Sequence, residues 1–449
     1  MILASLIFTV GISATMADDV ARPNIVLILA DDLGRGDLGG TVAPTPRLDR
    51  MASEGTRLNR YYSAAPICSP SRCGLLTGQF PGRWRINSYL QTRAGNRACS
   101  QADFLDPKAP TLPKALKAAG YATLHVGKWH LGGGRDVVDA PKFAAYGYEA
   151  GLGTWESPEP HPDITAADWI WSDKDPVKRW DRSRWMVDRS LEFLGTHLDR
   201  PCFINLWLDD PHTPWVPSEA DQTRNKDGRT VGKEATPERL RGVLVEMDRQ
   251  IGRLLDALSQ PKPGVRPTIV LFLSDNGPLP PFPHQKRTGG LRGSKLSLYE
   301  GGIRLPFIAW GPGLVAPGRT DDETVLSAVD LFPTICRLAG AELPPGYHSD
   351  GEDLSAAILG RAAVTRTKPL YWEYGRNTTS FDYPKASNRS PNVATLDGRW
   401  KLLVNADGSG AELYDIFRDP SESTNRAAEE PVVTDRLKSA AMRWRAALP

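Results

Sequence analysis

At 449 residues the chain is too long for one small domain and predicts a large core unit with a smaller appendage. A hydrophobic share of 40% and a charged share of 24% are those of an ordinary globular protein. A formal net charge of +2 offers no overall field for nucleic acid or an anionic membrane, so any anion must be met by a local cluster.

In chain order, residues 1–17 (MILASLIFTVGISATMA) are apolar and then small, and Asp18 and Asp19 follow. Thr15-Met16-Ala17 fits a small-residue cleavage site, although no Lys or Arg precedes the apolar part. The segment reads as an export signal, which predicts a periplasmic or secreted protein. No other run is long and apolar enough to span a bilayer.

Residues 24–30 (NIVLILA) form a continuous apolar run rich in branched side chains, the pattern of a strand buried on both faces of a parallel sheet. Residues 122–126, 203–208 and 268–273 behave alike. Helical patterns lie between them: one opened by Thr45-Pro46 and ended by Gly55, one over 112–119 ended by Gly120, and longer amphipathic ones over 184–198 and 237–258. The alternation predicts an α/β fold, a large and mostly parallel sheet sandwiched by helices. The stretches 136–181 and 214–234 read as long surface loops. After about residue 365 short strands at 370–374, 400–404 and 412–416 and a helix over 433–447 predict a small antiparallel sheet with one helix. The expected organisation is therefore a catalytic unit over 22–365 and a smaller α+β part over 366–449.

Five cysteines are present. Cys202 and Cys336 sit in apolar surroundings and read as buried small hydrophobes. Cys73 and Cys99 are the candidates for a disulfide in an oxidising compartment, with a buried thiol at each site as the competing reading. Cys68 is then the odd one.

Each buried strand runs into polar residues. The first leads into Asp31-Asp32, the second into Gly127-Lys128-Trp129-His130, the third into Asp209-Asp210-Pro211-His212, and the fourth into Ser274-Asp275-Asn276-Gly277. Ligands of open α/β sheets bind at the carboxyl ends of strands, so these tails are expected to meet in one pocket. Asp31, Asp32, Asp275 and Asn276 are hard oxygen donors suited to Ca²⁺ or Mg²⁺. Taken singly, Asp31-Asp32 could cap the next segment and Ser274–Gly277 could be a plain turn. Pro70 suits a first helical turn, which puts Cys68 at a helix N-terminus where negative charge is favoured. A thiolate beside a hard cation is a poor chemical match, however.

Cys68-Ser69-Pro70-Ser71-Arg72 followed by Leu75-Leu76-Thr77-Gly78 resembles the signature of type I sulfatases, in the alkaline-phosphatase-like superfamily. Asp31-Asp32, Gly127–Leu131, Pro211-His212, Ser274–Gly277, Arg292–Arg304, Asp330–Thr334 and Glu412–Asp415 resemble further motifs of that family, in order, from about residue 22 to 425. The resemblance implies that a separate formylglycine-generating enzyme oxidises Cys68 to Cα-formylglycine. One hydroxyl of the hydrated aldehyde attacks the sulfur of a sulfate ester, and the second then expels sulfate. A serine would form a sulfate ester with no internal route to release it.

Carried over, the resemblance implies one Ca²⁺ held by Asp31, Asp32, Asp275 and Asn276, with the modified Cys68 as a further ligand. Arg72 and Lys128 would hold the formylglycine and Lys295 would contact sulfate. His130 would help deprotonate the diol and His212 would protonate the leaving alcohol. The expected substrate is a sulfated glycan, with a pocket rim drawn from residues 83–97, 155–163, Trp215, 284–287 and His348. Competing functions are a formylglycine-dependent phosphodiester or phosphonate monoester hydrolase, a non-catalytic glycan-binding relative, and a hydrolase using unmodified Cys68.

Overall fold

The first strand, β1 (Asn24–Ala30), is buried along its whole length, with every side chain from Ile25 to Ala30 at 0% exposure. Such a strand needs apolar cover on both faces and a partner on both edges. It pairs in parallel with β6 (Cys202–Trp207) on one edge and β7 (Thr268–Ser274) on the other. Next to β6 runs β4 (Ala122–Gly127), and next to β4 runs β5 (Ala150–Gly153), again in parallel. The four strands expected from sequence are therefore direct neighbours that share one direction. Beyond β7 lie β9 (Phe307–Trp310), β2 (Thr56–Leu58) and β10 (Arg319–Asp321), giving the order β10-β2-β9-β7-β1-β6-β4-β5. Only β9 runs against its neighbours, and β3 (Tyr61–Tyr62), β8 (Arg304–Leu305) and β11 (Leu326–Ser327) form a small sheet of order β11-β3-β8.

This computed structural model describes residues 22–165, 172, 174–218, 236–259, 266–279, 286–376 and 388–449. The expected signal segment, His284 and most of the expected 214–234 loop lie outside the described residues.

Alternate residues of β1 feed two different cores. Ile25, Leu27 and Leu29 join one cluster, with Leu75 and Leu76 of the helix Cys68–Thr77, Leu116 of Leu112–Ala118 and Ile335 of Leu331–Ala339. Val26, Ile28 and Ala30 join the other, with Met51 of Pro46–Ser53, Met186 of Arg182–Thr196 and Leu244 of Pro237–Leu258. The sheet is thus sandwiched by helices. Each fully buried Val, Leu or Ile contributes about 1.5–3 kcal/mol.

The chain ends in a four-stranded antiparallel sheet, β12 (Leu370–Glu373), β13 (Val393–Asp397), β14 (Trp400–Val404) and β15 (Glu412–Asp415), with the helix Pro431–Ala446 packed on it. The strand β13 is absent from the sequence reading.

One expectation is corrected here. No disulfide joins Cys73 to Cys99. Cys73 lies inside the helix Cys68–Thr77, and Cys99, also buried, accepts a hydrogen bond from Gln91 Nε2 at 3.7 Å. Burial as small apolar groups accounts for both thiols without a crosslink.

Candidate active site

The carboxyl ends of β1, β7, β4 and β6 deliver the expected polar tails to one place. Asp31 and Asp32 follow β1 and are buried, Asp32 with a left-handed φ of 62°. Asp tolerates that region better than most residues, and such strain persists only where the surroundings fix it. Here Asp32 N–H donates to Asp275 Oδ1 (3.2 Å) and Arg287 Nη2 donates to the Asp32 carbonyl (3.1 Å). After β4 come Lys128 and His130, and after β6 comes His212, whose loop is tied back by Asp31 N–H donating to the Asp210 carbonyl (3.0 Å).

The helix Cys68–Thr77 points its first residue at this cluster. Every residue of the helix is buried, and it stops at Gly78, whose φ is 65°. A Cβ at Gly78 would lie 2.1 Å from the Tyr347 hydroxyl, so the stop needs glycine for room as well as for conformation. Cys68 Sγ, 2% exposed, is 3.6 Å from Asp31 Oδ1 and 3.5 Å from Lys128 Nζ.

Three carboxylates, Asp31, Asp32 and Asp275, face three cations. Lys128 Nζ reaches Asp31 Oδ2 at 2.5 Å, and Lys295 Nζ reaches Asp32 Oδ1 at 2.7 Å. Arg72 forks onto Asp275 Oδ2 through Nε (2.9 Å) and Nη2 (2.8 Å), and donates to the Lys128 carbonyl (2.7 Å). Burial alone would raise the Asp31 carboxyl, but Lys128, His212, Arg72 and Lys295 together hold it well below the usual carboxylate range. Burial and the Asp31 charge push Asp275 up to about 6 despite Arg72. Burial pushes the Cys68 thiol up to about 12, so the helix N-terminus does not make it a thiolate.

The histidines differ in which nitrogen is committed. His130 Nε2 donates to the Leu90 carbonyl (3.1 Å) and lies 3.3 Å from Glu156 Oε2. His212 Nδ1 donates to the Thr213 carbonyl (2.6 Å), which turns Nε2 toward Asp32 Oδ2 at 3.7 Å. Burial pushes His130 down to about 3 and also lowers His212, so both rest neutral at neutral pH.

Two buried atoms of the cluster lack a hydrogen-bond partner, Asn276 Oδ1 and His130 Nδ1. Ligand atoms of Asp31, Asp32, Cys68 and His212 lie within 4.8 Å of one another, a spacing that a single cation can span. Asn276 Nδ2 donates to Asp32 Oδ1 (2.7 Å), which leaves its free oxygen as an additional donor atom. The residues present therefore fit a hard cation.

Several rim residues fall elsewhere. Arg287 is buried and forks onto Asp37 (2.9 and 2.7 Å), and Trp215 lies beneath it, donating to the Pro211 carbonyl. Both support the floor of the site. Arg83 pairs with Asp350, and His348 borders a separate groove with Gln79 and Trp84. Trp155 does line a cavity of about 20 Å³ together with Asp31, Lys128, Glu156 and His212. Sequence reasoning had Glu156 only as part of the expected rim 155–163, and it missed Arg179 and Arg182, because they lie in or beside a polar stretch read as surface loop. Two arginines three residues apart opposite the Asp209-Asp210 pair were the available signal.

A mostly parallel sheet with this constellation at its strand ends defines a hydrolase of the alkaline-phosphatase-like kind. The sulfatase family model matches residues 23–341, and a second model, described as N-sulphoglucosamine sulphohydrolase, C-terminal, matches 294–445. The chain belongs to the sulfatase family and is a sulfuric ester hydrolase.

It is 27% identical to an N-acetylgalactosamine-6-O-sulfatase of Bacteroides thetaiotaomicron, over 93% of this chain and 92% of that one. It is 30% identical to human arylsulfatase A, over 93% and 87%. A Bacteroides thetaiotaomicron chain solved in work on glycosaminoglycan metabolism superposes with a TM-score of 0.73 at 24% identity, covering 93% and 98%. The phosphonate monoester hydrolase of Agrobacterium radiobacter superposes with a TM-score of 0.64 at 22% identity, covering 93% and 94%. The fold is thus shared across both chemistries.

Proposed function

We propose that this chain is an exported sulfatase that removes sulfate from a sulfated carbohydrate, using Cα-formylglycine made from Cys68 and one Ca²⁺. The observation that carries the reading is the setting of Cys68: a buried, neutral thiol at a helix start, within 3.6 Å of Asp31 and Lys128, in a cluster with two unpartnered buried polar atoms. A thiol held up to about 12 is a poor nucleophile, and its surroundings suit an oxygen-bearing group instead. Its Sγ stands where an oxygen of the hydrated aldehyde would lie. The names of the relatives, several of them N-acetylgalactosamine sulfatases, support a carbohydrate substrate. The composition of residues 1–17 supports export.

Asp31, Asp32, Asp275 and Asn276 would hold the cation with the modified Cys68, and when bound it supplies Lewis-acid polarisation of the sulfate oxygens. Formylglycine supplies, once hydrated, two hydroxyls on one carbon. Lys128 steadies negative charge at position 68, and Lys295 binds sulfate. Arg72 works through Asp275 and the Lys128 backbone. His130, with Nε2 committed to Leu90, uses Nδ1 to take a proton. His212, with Nδ1 committed to Thr213, uses Nε2 to protonate the leaving alcohol, and an anionic substrate beside it raises its proton affinity. Three carboxylates already balance three cations, so a divalent ion would leave the site positive toward an anionic ester.

The test is peptide mass spectrometry of protein co-expressed with a formylglycine-generating enzyme, with kinetics on 4-nitrophenyl sulfate and 4-nitrophenyl phosphate and a panel of sulfated sugars. We expect the aldehyde or its hydrate at position 68 and a preference for sulfate esters. Full activity from protein holding only cysteine there would sink the mechanism, and faster phosphate-ester turnover would favour the phosphoester reading.

A further inference from the structure

Arg179 lies outside every motif read from the sequence, and its contacts converge on one loop. The side chain is 3% exposed. Its Nη1 pairs with Asp209 Oδ1 (2.9 Å) and Asp210 Oδ1 (2.7 Å). Its Nη2 donates to the carbonyls of Asp209 (2.7 Å) and His212 (3.2 Å). A single guanidinium thus grips three of the four residues from Asp209 to His212. Only a planar fork can hold acceptors at so many angles. The grip is itself backed. Arg182 Nη1 donates to Asp209 Oδ2 (2.7 Å), and Ser183 Oγ donates to Asp210 Oδ2 (2.5 Å). Both come from the start of the helix Arg182–Thr196, a rigid element, while the Asp210 carbonyl binds Asp31 N–H in the site itself.

We propose that Arg179 is a positioning residue for His212. By fixing the backbone around that residue, it sets where the imidazole meets the leaving oxygen. The proposal rests on the assignment of His212 as the leaving-group acid. It follows that loosening Arg179 hurts esters whose leaving group needs a proton and spares those whose leaving group departs without one. A role confined to stability would affect both kinds alike.

The experiment uses the matured full-length enzyme with 4-nitrophenyl sulfate and unsubstituted phenyl sulfate. Arg179→Met leaves the buried Asp210 carboxylate without its cation and risks misfolding, so Arg179→Lys, which keeps the charge and loses the fork, is the working variant. We expect kcat on phenyl sulfate to fall by roughly 10–10²-fold, part of the ~10²–10⁴ that general acid catalysis supplies. The kcat on 4-nitrophenyl sulfate should change less than about threefold by the same reasoning, with KM for both near the wild-type values. Adding Arg179→Lys to His212→Ala should cost nothing further on phenyl sulfate. Amide hydrogen exchange over residues 209–214 should quicken in Arg179→Lys, a readout independent of turnover. Equal losses on both esters, additive losses in the double variant, or unchanged exchange would overturn the proposal. If His212→Ala alone damages both esters equally, the acid assignment fails first and the proposal falls with it, recognisably by that control.

Discussion

Cys68 is under two opposing influences. The helix start favours negative charge at its side chain, and burial penalises it; burial wins, and the thiol is pushed up to about 12. Unmatured protein should therefore react slowly with iodoacetamide at pH 8 and show no sulfatase turnover, and rapid alkylation would contradict the geometry. Asp31 is the residue on which Lys128, Arg72 and the Cys68 thiol all converge. Asp31→Ala leaves a buried lysine without its closest carboxylate, which should cost about 3–5 kcal/mol of stability as well as activity. Both effects are checked by denaturant melts beside turnover of an aryl sulfate. The identities of these site residues were legible because chemistry-bearing side chains sat directly after core-type strands. Their exact partners were not. Nothing local in the sequence says that Arg72 forks onto Asp275 two hundred residues away, since that contact exists only once β7, β1, β6 and β4 lie side by side.

Between elements, the most consequential charge is Lys401. It is fully buried on β14 and pairs with Glu300 (2.9 Å) and Glu422 (2.9 Å), while Glu300 also accepts from the Tyr62 hydroxyl. This joins the C-terminal sheet to the segment that follows Lys295. Lys401→Met leaves two buried carboxylates facing each other and should destabilise by about 3–5 kcal/mol in a denaturant melt. Burial, with Glu300 adding, pushes Glu422 up to about 7 from an ordinary 4.5. A carboxyl that holds its proton more tightly when folded contributes stability that is full below its unfolded value and is lost as pH rises through its folded value. Stability at this position should therefore fall by roughly 3 kcal/mol between pH 4.5 and 7.5, and Glu422→Gln should flatten that slope. The sequence reading found β14 and β15 but not β13, because Val393–Asp397 (VATLD) shows no clear alternation of apolar and polar residues. The inner strands β2 and β9 were missed as well, because runs of three and four residues give little period to read.

At the scale of the molecule, we propose that residues 22–365 and 366–449 melt as one unit. Leu370, Trp372, Leu396 and Tyr414 belong to the same core as Ile25 and Leu27, and the Trp372 indole donates to the Ser63 carbonyl (2.7 Å). Calorimetry should show a single transition, and two well-separated peaks would refute this. Exhaustive chelation of the matured enzyme should lower the midpoint, since a ligand at a hundredfold its Kd adds about 2.7 kcal/mol. An unchanged midpoint and unchanged turnover would argue against the cation. The burial of Cys68 also gives the protein a history. A residue 2% exposed at the buried start of its helix cannot be reached by a second enzyme. If oxidation makes the reactive group, it has to happen on the nascent or unfolded chain, and each molecule is committed to working or not before it finishes folding. Protein that folds first would be an inert twin of the active form, alike in shape and lost to later rescue. Supplying the maturation enzyme to the folded protein should restore nothing, and supplying it to a short peptide spanning Cys68–Arg72 should succeed.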